Sequence, residues 1–277
     1  MRRAAIWIAV LGMAGWGFAQ SGGAASGSKP APGGQAAAPA GKRLPQAKTQ
    51  AEFDAYKAAA ALTDPAAQEK AANDFATKYA DSELRTLLYK AVMGAYQNAN
   101  NPEKMMEMAR KVLSIDPDDP DALMGVAQVL AESTQDTDLD RDQKLAEAKK
   151  DAERALVTME TDVPTVGVAA EKLTAYKAFV LSQAYYILGT ISYKNKAWAD
   201  AEKDLRKSIE AFPQSIDAVA VLRLSLCLDM QSKYPEALKY AQQAVDMTKE
   251  GTASGDAARR ERDRLTQLTG GAAPGKN

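Results

Sequence analysis

Apolar residues along most of this chain recur every three to four positions, and nowhere do they alternate with period two for more than a few residues. Phe53, Tyr56, Ala60 and Leu62 share one helical stripe. Asp64-Pro65 stops that helix and starts another, since proline is tolerated in a first turn. Ala71, Phe75 and Tyr79 then follow at i, i+4 and i+8 within residues 66–79. Folded sequence is therefore expected to open near Thr49 with a helical hairpin. The next stretch has the same form. Tyr89, Val92, Met93 and Tyr96 share a first helix, Asn100-Asn101 make a turn, Met105, Ala109 and Val112 share a second helix, and Ile115-Asp116-Pro117 close it. Asparagine suits that turn because it tolerates left-handed backbone.

From Tyr185 the register returns. Tyr185, Leu188 and Gly189 lie on a first helix, Trp198 follows the turn, and Ala201, Leu205, Ser208, Ile209 and Pro213 complete the pair. Tyr89 to Pro117 and Tyr185 to Pro213 both span 28 residues. Between them, Leu123, Val126, Ala127 and Leu130 predict a first helix from Asp121, and Ala148, Ala152 and Ala155 its partner. The connection between these two helices is about nine residues longer than such a turn needs. The run from Glu171 has no break before Tyr185, which predicts one long helix over 169–195. A last hairpin carries Val221, Leu224 and Leu228, then Tyr234, Ala237, Ala241 and Ala244. Residues 256–268, with Arg259, Arg260, Arg262 and Arg264, suit a polar terminal helix.

An aromatic, Leu-Gly and Tyr on one helix, Ala and an apolar residue on the next, and a closing Pro form a pattern that resembles the tetratricopeptide repeat. The resemblance covers roughly Thr49 to Leu268 and is tightest over Tyr185–Pro213. It implies an all-α, right-handed α-solenoid of about five stacked helical pairs with a C-terminal capping helix. Small residues at the crossings let helices approach, and Tyr and Leu fill the remaining volume. Tyr89 and Tyr185 are 96 residues apart, where two regular repeats give about 68. The surplus is assigned to an acidic insertion after Ser133 and to the long helix.

The termini add a compartment. Arg2 and Arg3 precede an uncharged apolar stretch, Ala4–Gly17, and Gly17-Phe18-Ala19 puts small residues before a cut at Gln20. Residues 1–19 are read as a signal peptide, 20–48 as a disordered Gly/Ala/Pro/Ser linker, 49–268 as the solenoid and 269–277 as a disordered tail. No cysteine follows the apolar stretch, so no lipid anchor is expected, and the protein is expected to be exported to the periplasm or beyond. The net charge is −1, or −3 without Arg2 and Arg3, which offers no general attraction to nucleic acid.

Histidine is absent, which removes Ser-His and Cys-His pairs and the common zinc sets. Cys227 sits in the apolar run Val219–Leu228 and reads as a small core residue. No catalytic residue and no cofactor is expected. Asp136, Asp138, Asp140, Asp142 and Glu147 occupy the first, third, fifth, seventh and twelfth places of a calcium loop. Arg141, however, stands where that loop needs glycine, so a solvated acidic loop is the reading and no metal is expected. The resemblance further implies a concave groove lined by first helices, here Lys90, Gly94, Gln97, Met124, Gln128, Gln183, Tyr186, Thr190, Tyr193, Leu222, Arg223, Leu226 and Met230. Lys90 matches a lysine that some family members use on a peptide carboxylate, but Gly94, Gly125 and Val219 do not match its partners. The expected function is a non-catalytic scaffold for a protein or peptide partner of unspecified identity. The alternative is a homo-oligomer built on the helix over 169–195.

Overall fold

A computed structural model describes residues 42–270. The expected signal peptide, most of the linker and residues 271–277 of the tail lie outside the described residues. Eleven α-helices follow one another: α1 (Gln50–Ala60), α2 (Pro65–Lys78), α3 (Leu84–Asn98), α4 (Pro102–Ile115), α5 (Pro120–Ser133), α6 (Arg141–Thr161), α7 (Ala170–Lys194), α8 (Trp198–Ala211), α9 (Ala218–Met230), α10 (Tyr234–Asp246) and α11 (Ala253–Leu268). They stack as five antiparallel hairpins closed by α11, an all-α solenoid. Among the described residues, no helix is long and apolar enough to cross a membrane.

Capping chemistry starts the helices where the sequence puts it. The side chains of Thr49, Asp64, Asn101, Asp119, Asp217 and Thr252 each accept a hydrogen bond from an amide in the first turn. Three of the hairpin turns are copies of one another. Residues 99–101, 195–197 and 231–233 each carry a left-handed middle residue, at Asn100 (φ 53°), Lys196 (φ 58°) and Ser232 (φ 59°). In each, the amide after it closes the turn at 2.9 Å: Asn101 onto the Tyr96 carbonyl, Ala197 onto Ser192 and Lys233 onto Leu228. The repeat is thus visible in backbone geometry as well as in side chains.

First helices touch first helices along the stack, α1–α3–α5–α7–α9–α11, and form a continuous inner layer. The small residues act as expected at the crossings. Ala109, Ala127, Ala148, Ala152, Ala155, Ala201, Ala237 and Ala241 are wholly buried. At Gly189 of α7 an added Cβ would lie 2.8 Å from Leu205 Cγ of α8.

Four expectations need correction. Leu62 lies beyond the C-cap of α1 and is exposed, so it is not part of the opening stripe. The α5–α6 connection is seven residues, 134–140, against three in the regular turns, so only about four of the surplus residues sit there. The rest lengthen α6 to 21 residues and α7 to 25, joined by an elbow at 162–169. Residues 42–48 are not free linker. Arg43 makes a two-pronged bond to Glu83 at 2.6 and 2.7 Å, the amides of Gln46 and Lys48 donate to Glu83 and Glu52, and Lys42 pairs with Asp116 and Asp162. Charge complementarity fixes a segment whose composition alone could not order it.

Candidate functional site

The inner layer is held by two polar ladders, and both contain residues expected to line an open groove. In the first, Lys90 of α3 reaches the start of α5. Its ammonium pairs with Asp119 at 2.9 Å and with Asp121, and Tyr176 of α7 donates to Asp121 at 2.7 Å. Asp119 also caps α5 by accepting from the Ala122 amide at 2.9 Å. Burial would push the Lys90 ammonium down, but the two carboxylates outweigh it and hold it well above the ordinary lysine value. Burial, together with the neighbouring Asp121, raises Asp119 against the pull of Lys90. Burial and Asp121 also hold the Tyr176 phenol well above its ordinary value.

That ladder predicts alkaline sensitivity. Below about pH 10, Lys90 and Tyr176 keep their protons in folded and unfolded chain alike. Above it the unfolded chain releases them while the folded chain, whose values are raised, retains them. The folded state then binds more protons and stability falls as pH rises. Urea midpoints taken between about pH 9 and 11 should drop more steeply for the wild type than for Tyr176→Phe, which has no phenol to titrate. Equal slopes would show that this phenol does not contribute.

The second ladder lies further along α5, α7 and α9. Arg223 of α9 makes a two-pronged bond to Glu132 of α5 at 3.0 and 2.8 Å. It also donates to the Tyr186 hydroxyl and to the Thr190 hydroxyl at 2.7 Å, and its guanidinium lies 5.1 Å from the Tyr186 ring centroid. Tyr186 donates in turn to Glu132. Planarity explains the choice of arginine, since one guanidinium serves a carboxylate edge-on and stacks on a ring. At the same end Lys194 of α7 donates to the Glu132 and Thr134 carbonyls, which end α5. Arg141, at the start of α6, donates to the Lys194 carbonyl at 2.6 Å and to the Asn195 side chain at 3.1 Å. Each cation meets the negative end of a helix.

The acidic loop is tied by its own cations. Arg141, which breaks the calcium pattern, also pairs with Asp136 and Asp142. Lys144 pairs with Asp138 and Asp140, and Glu147 turns away to Arg110. Asp142 belongs to the first turn of α6. Protein cations occupy the carboxylates, and among the described residues no group of three or more possible ligands converges on a metal position.

The expected groove residues therefore separate into two sets. Met124, Tyr186, Thr190 and Leu222 are buried, as is Gly94, and cannot line an open groove; Tyr186 is only 1% exposed. Lys90 is enclosed by its carboxylates, and Arg223 is committed to Glu132. For Met124 the cause is the long α7, which with α3, α4 and α6 surrounds α5 so that almost every residue of α5 is buried. Leu222 instead packs in a second cluster with Ala244 of α10 and Ala258 of α11. Gln97, Gln128, Gln183, Tyr193 and Leu226 are half-buried, and Met230 is 55% exposed. Tyr193 packs edge-on against Trp198 with ring centroids 5.4 Å apart. Leu226 and Met230 are one turn apart on α9, so they share a face. Cys227 is wholly enclosed, and burial pushes its thiol up to about 12, which leaves it a core residue.

Sequence reasoning missed Glu132, Asp119, Asp121 and Tyr176. A signal existed for the aspartates, since Asp119 and Asp121 flank Pro120 at a helix start. No local pattern marks Glu132 as the partner of an arginine 91 positions away.

No protein-family model matches this chain. No curated protein sequence matches it either. Solved structures similar to it include MamA protein, at 18% identity and TM-score 0.40 over 66% of this chain and 87% of that one. A second is MamA from Desulfovibrio magneticus RS-1, at 17% identity and TM-score 0.40 over 66% and 94%. A third is PilW, described as a widely conserved type IV pilus biogenesis factor, at 15% identity and TM-score 0.42 over 76% and 99%. The all-α solenoid assignment rests on the helices and their contacts in this chain.

Proposed function

We propose that this chain is a non-catalytic, tetratricopeptide-type scaffold that binds a protein or peptide through the accessible part of its first-helix layer, in the cell envelope or outside the cell. The observation that carries the proposal is the exposed Met230, on the same face of α9 as half-buried Leu226, within a layer otherwise locked by ladders. A methionine in such a place adapts its shape to an apolar partner, and the locked ladders keep the surface from rearranging on binding. Half-buried Gln97, Gln128 and Gln183 add amides that both donate and accept. Export rests on the sequence of residues 1–19.

Photo-crosslinking in the native host tests this. Probes at positions 183 and 230 should trap one common partner, and a probe at exposed Lys203 on α8 should not. Met230→Glu should reduce that capture at least about tenfold, with stability changed by no more than about 0.5 kcal/mol. Identical capture from all three positions, or capture indifferent to Met230→Glu, counts against the inner layer. The exposed Val157, Val166 and first turns of α7 favour a second reading, self-association through the long helix. Light scattering on the full chain at high concentration separates the two, since a strict monomer removes it.

A further inference from the structure

The elbow at 162–169 is the longest connection between helices among the described residues, and it lies between the two lengthened ones. Its polar ties to the rest of the protein converge on one residue. Asp162 accepts from the Lys42 ammonium at 2.7 Å, and the Thr165 amide donates to the Lys42 carbonyl at 3.0 Å. Lys42 also forms an isolated parallel bridge with Pro164. Among the described residues, the elbow's other backbone bonds to helices run only to its own flanking ones, from the Asp162 amide to the Thr158 carbonyl and from the Leu173 amide to the Ala169 carbonyl. The same ammonium bonds Asp116 at 2.7 Å. Asp116 is the C-cap of α4 and Asp162 the C-cap of α6, so one cation closes the negative ends of two helices from different hairpins. Burial lowers the Lys42 ammonium, yet the two carboxylates more than offset this and hold it above the ordinary lysine value. Arg43 and Gln46, through Glu83, then fix the segment to the start of α3, and Ala47 packs on the core.

We propose that residues 42–48 form a releasable strap that locks the α6–α7 elbow. Seated, the strap joins the first, second and third hairpins and holds the elbow closed over buried Val163. Lifted, it leaves the elbow without its polar ties, and the elbow opens locally while the rest of the solenoid stays folded. The lock is suited to release because it rests on a few part-exposed ion pairs and one backbone bond, each of modest worth. A pull or a cut upstream of Thr49 would thus be felt at the irregular middle of the solenoid, not only at α1.

Hydrogen exchange on the full chain, read by mass spectrometry, tests the lock. In Lys42→Ala the amides of 162–169 should exchange about tenfold faster than in the wild type, and those of α9–α11 at unchanged rates. Asp116→Asn combined with Asp162→Asn should reproduce the effect without touching the strap. Lys42→Arg, which keeps the charge, should keep the protection. Unchanged exchange at the elbow in Lys42→Ala overturns the proposal. So does faster exchange spread equally over α9–α11, which would make Lys42 a general stabiliser. Loss of protection in Lys42→Arg would also overturn it, since the lock would not depend on charge.

Discussion

Replacing Lys90 with methionine should destabilise the protein by about 3–5 kcal/mol, the range for removing one partner of a buried ion pair. The size follows from what remains. Asp119 and Asp121 are both buried and would lie side by side without their shared cation. Each keeps a single bond, from the Ala122 amide and the Tyr176 hydroxyl respectively. Those bonds do not cancel the repulsion between two carboxylates in a low-dielectric site. Methionine fills most of the lysine's volume, so cavity formation is a minor part of the loss. A second substitution distinguishes charge from packing. Asp121→Asn in the Lys90→Met background removes one of the two charges and still accepts from Tyr176, so it should recover more than half of the loss. Urea unfolding of the wild type and the two variants measures this. A loss under about 1 kcal/mol in Lys90→Met would mean an exposed pair, and Lys90 would return as a residue available to a partner.

That contrast shows what the chain discloses before it is folded. Helix starts were legible because capping is local: Asp64-Pro65 and Asn101 announce themselves within three residues. The hairpin repeat was legible because its small residues must recur wherever two helices cross. Tyr186, Thr190, Lys90 and Arg223 were read as lining an open groove, whereas they lie on the side of the first helices that meets its neighbours and bond there. What was not legible is whether that side stays open. This depends on how far α7 extends and how closely α5 is enclosed, which are relations between hairpins. The reach of Arg223 to Glu132 and of Lys42 to Asp162 is equally non-local. Arg141 is a mixed case. Its place in the acidic loop ruled against a calcium geometry, but its own task, capping α7, appears only when the end of that helix is brought beside it.

Gly189→Val should cost about 3 kcal/mol or more, at the upper end of what overpacking a tight contact costs. Helix α7 meets α8 more extensively than any other two described helices meet, and Gly189 sits at a tight contact between them. An added Cβ would stand 2.8 Å from Leu205 Cγ, 3.1 Å from its Cδ2 and 3.2 Å from its backbone nitrogen. The Leu205 side chain can rotate away from the first two contacts, but the third is backbone, so the helices themselves must part. Alanine isolates this term. Leaving glycine gains about 0.8–1.0 kcal/mol of helix propensity, and the clash subtracts about 1–3 kcal/mol, so Gly189→Ala should be destabilising by at most about 2 kcal/mol. Valine adds two further methyl groups at the same contact and, being β-branched, gains less helix propensity than alanine to offset them. Trimming the neighbour does not rescue the contact, because Leu205→Ala removes a wholly buried side chain at a cost of about 2–5 kcal/mol. Denaturation midpoints for the two glycine variants provide the measurement. Parting α7 from α8 also tilts α9 and Met230 with it, so Gly189→Ala, if it stays folded, should weaken partner capture while Met230 itself is intact. A Gly189→Ala protein more stable than the wild type would show that the α7–α8 contact has slack, and the rigid inner layer on which binding is proposed would lose its support.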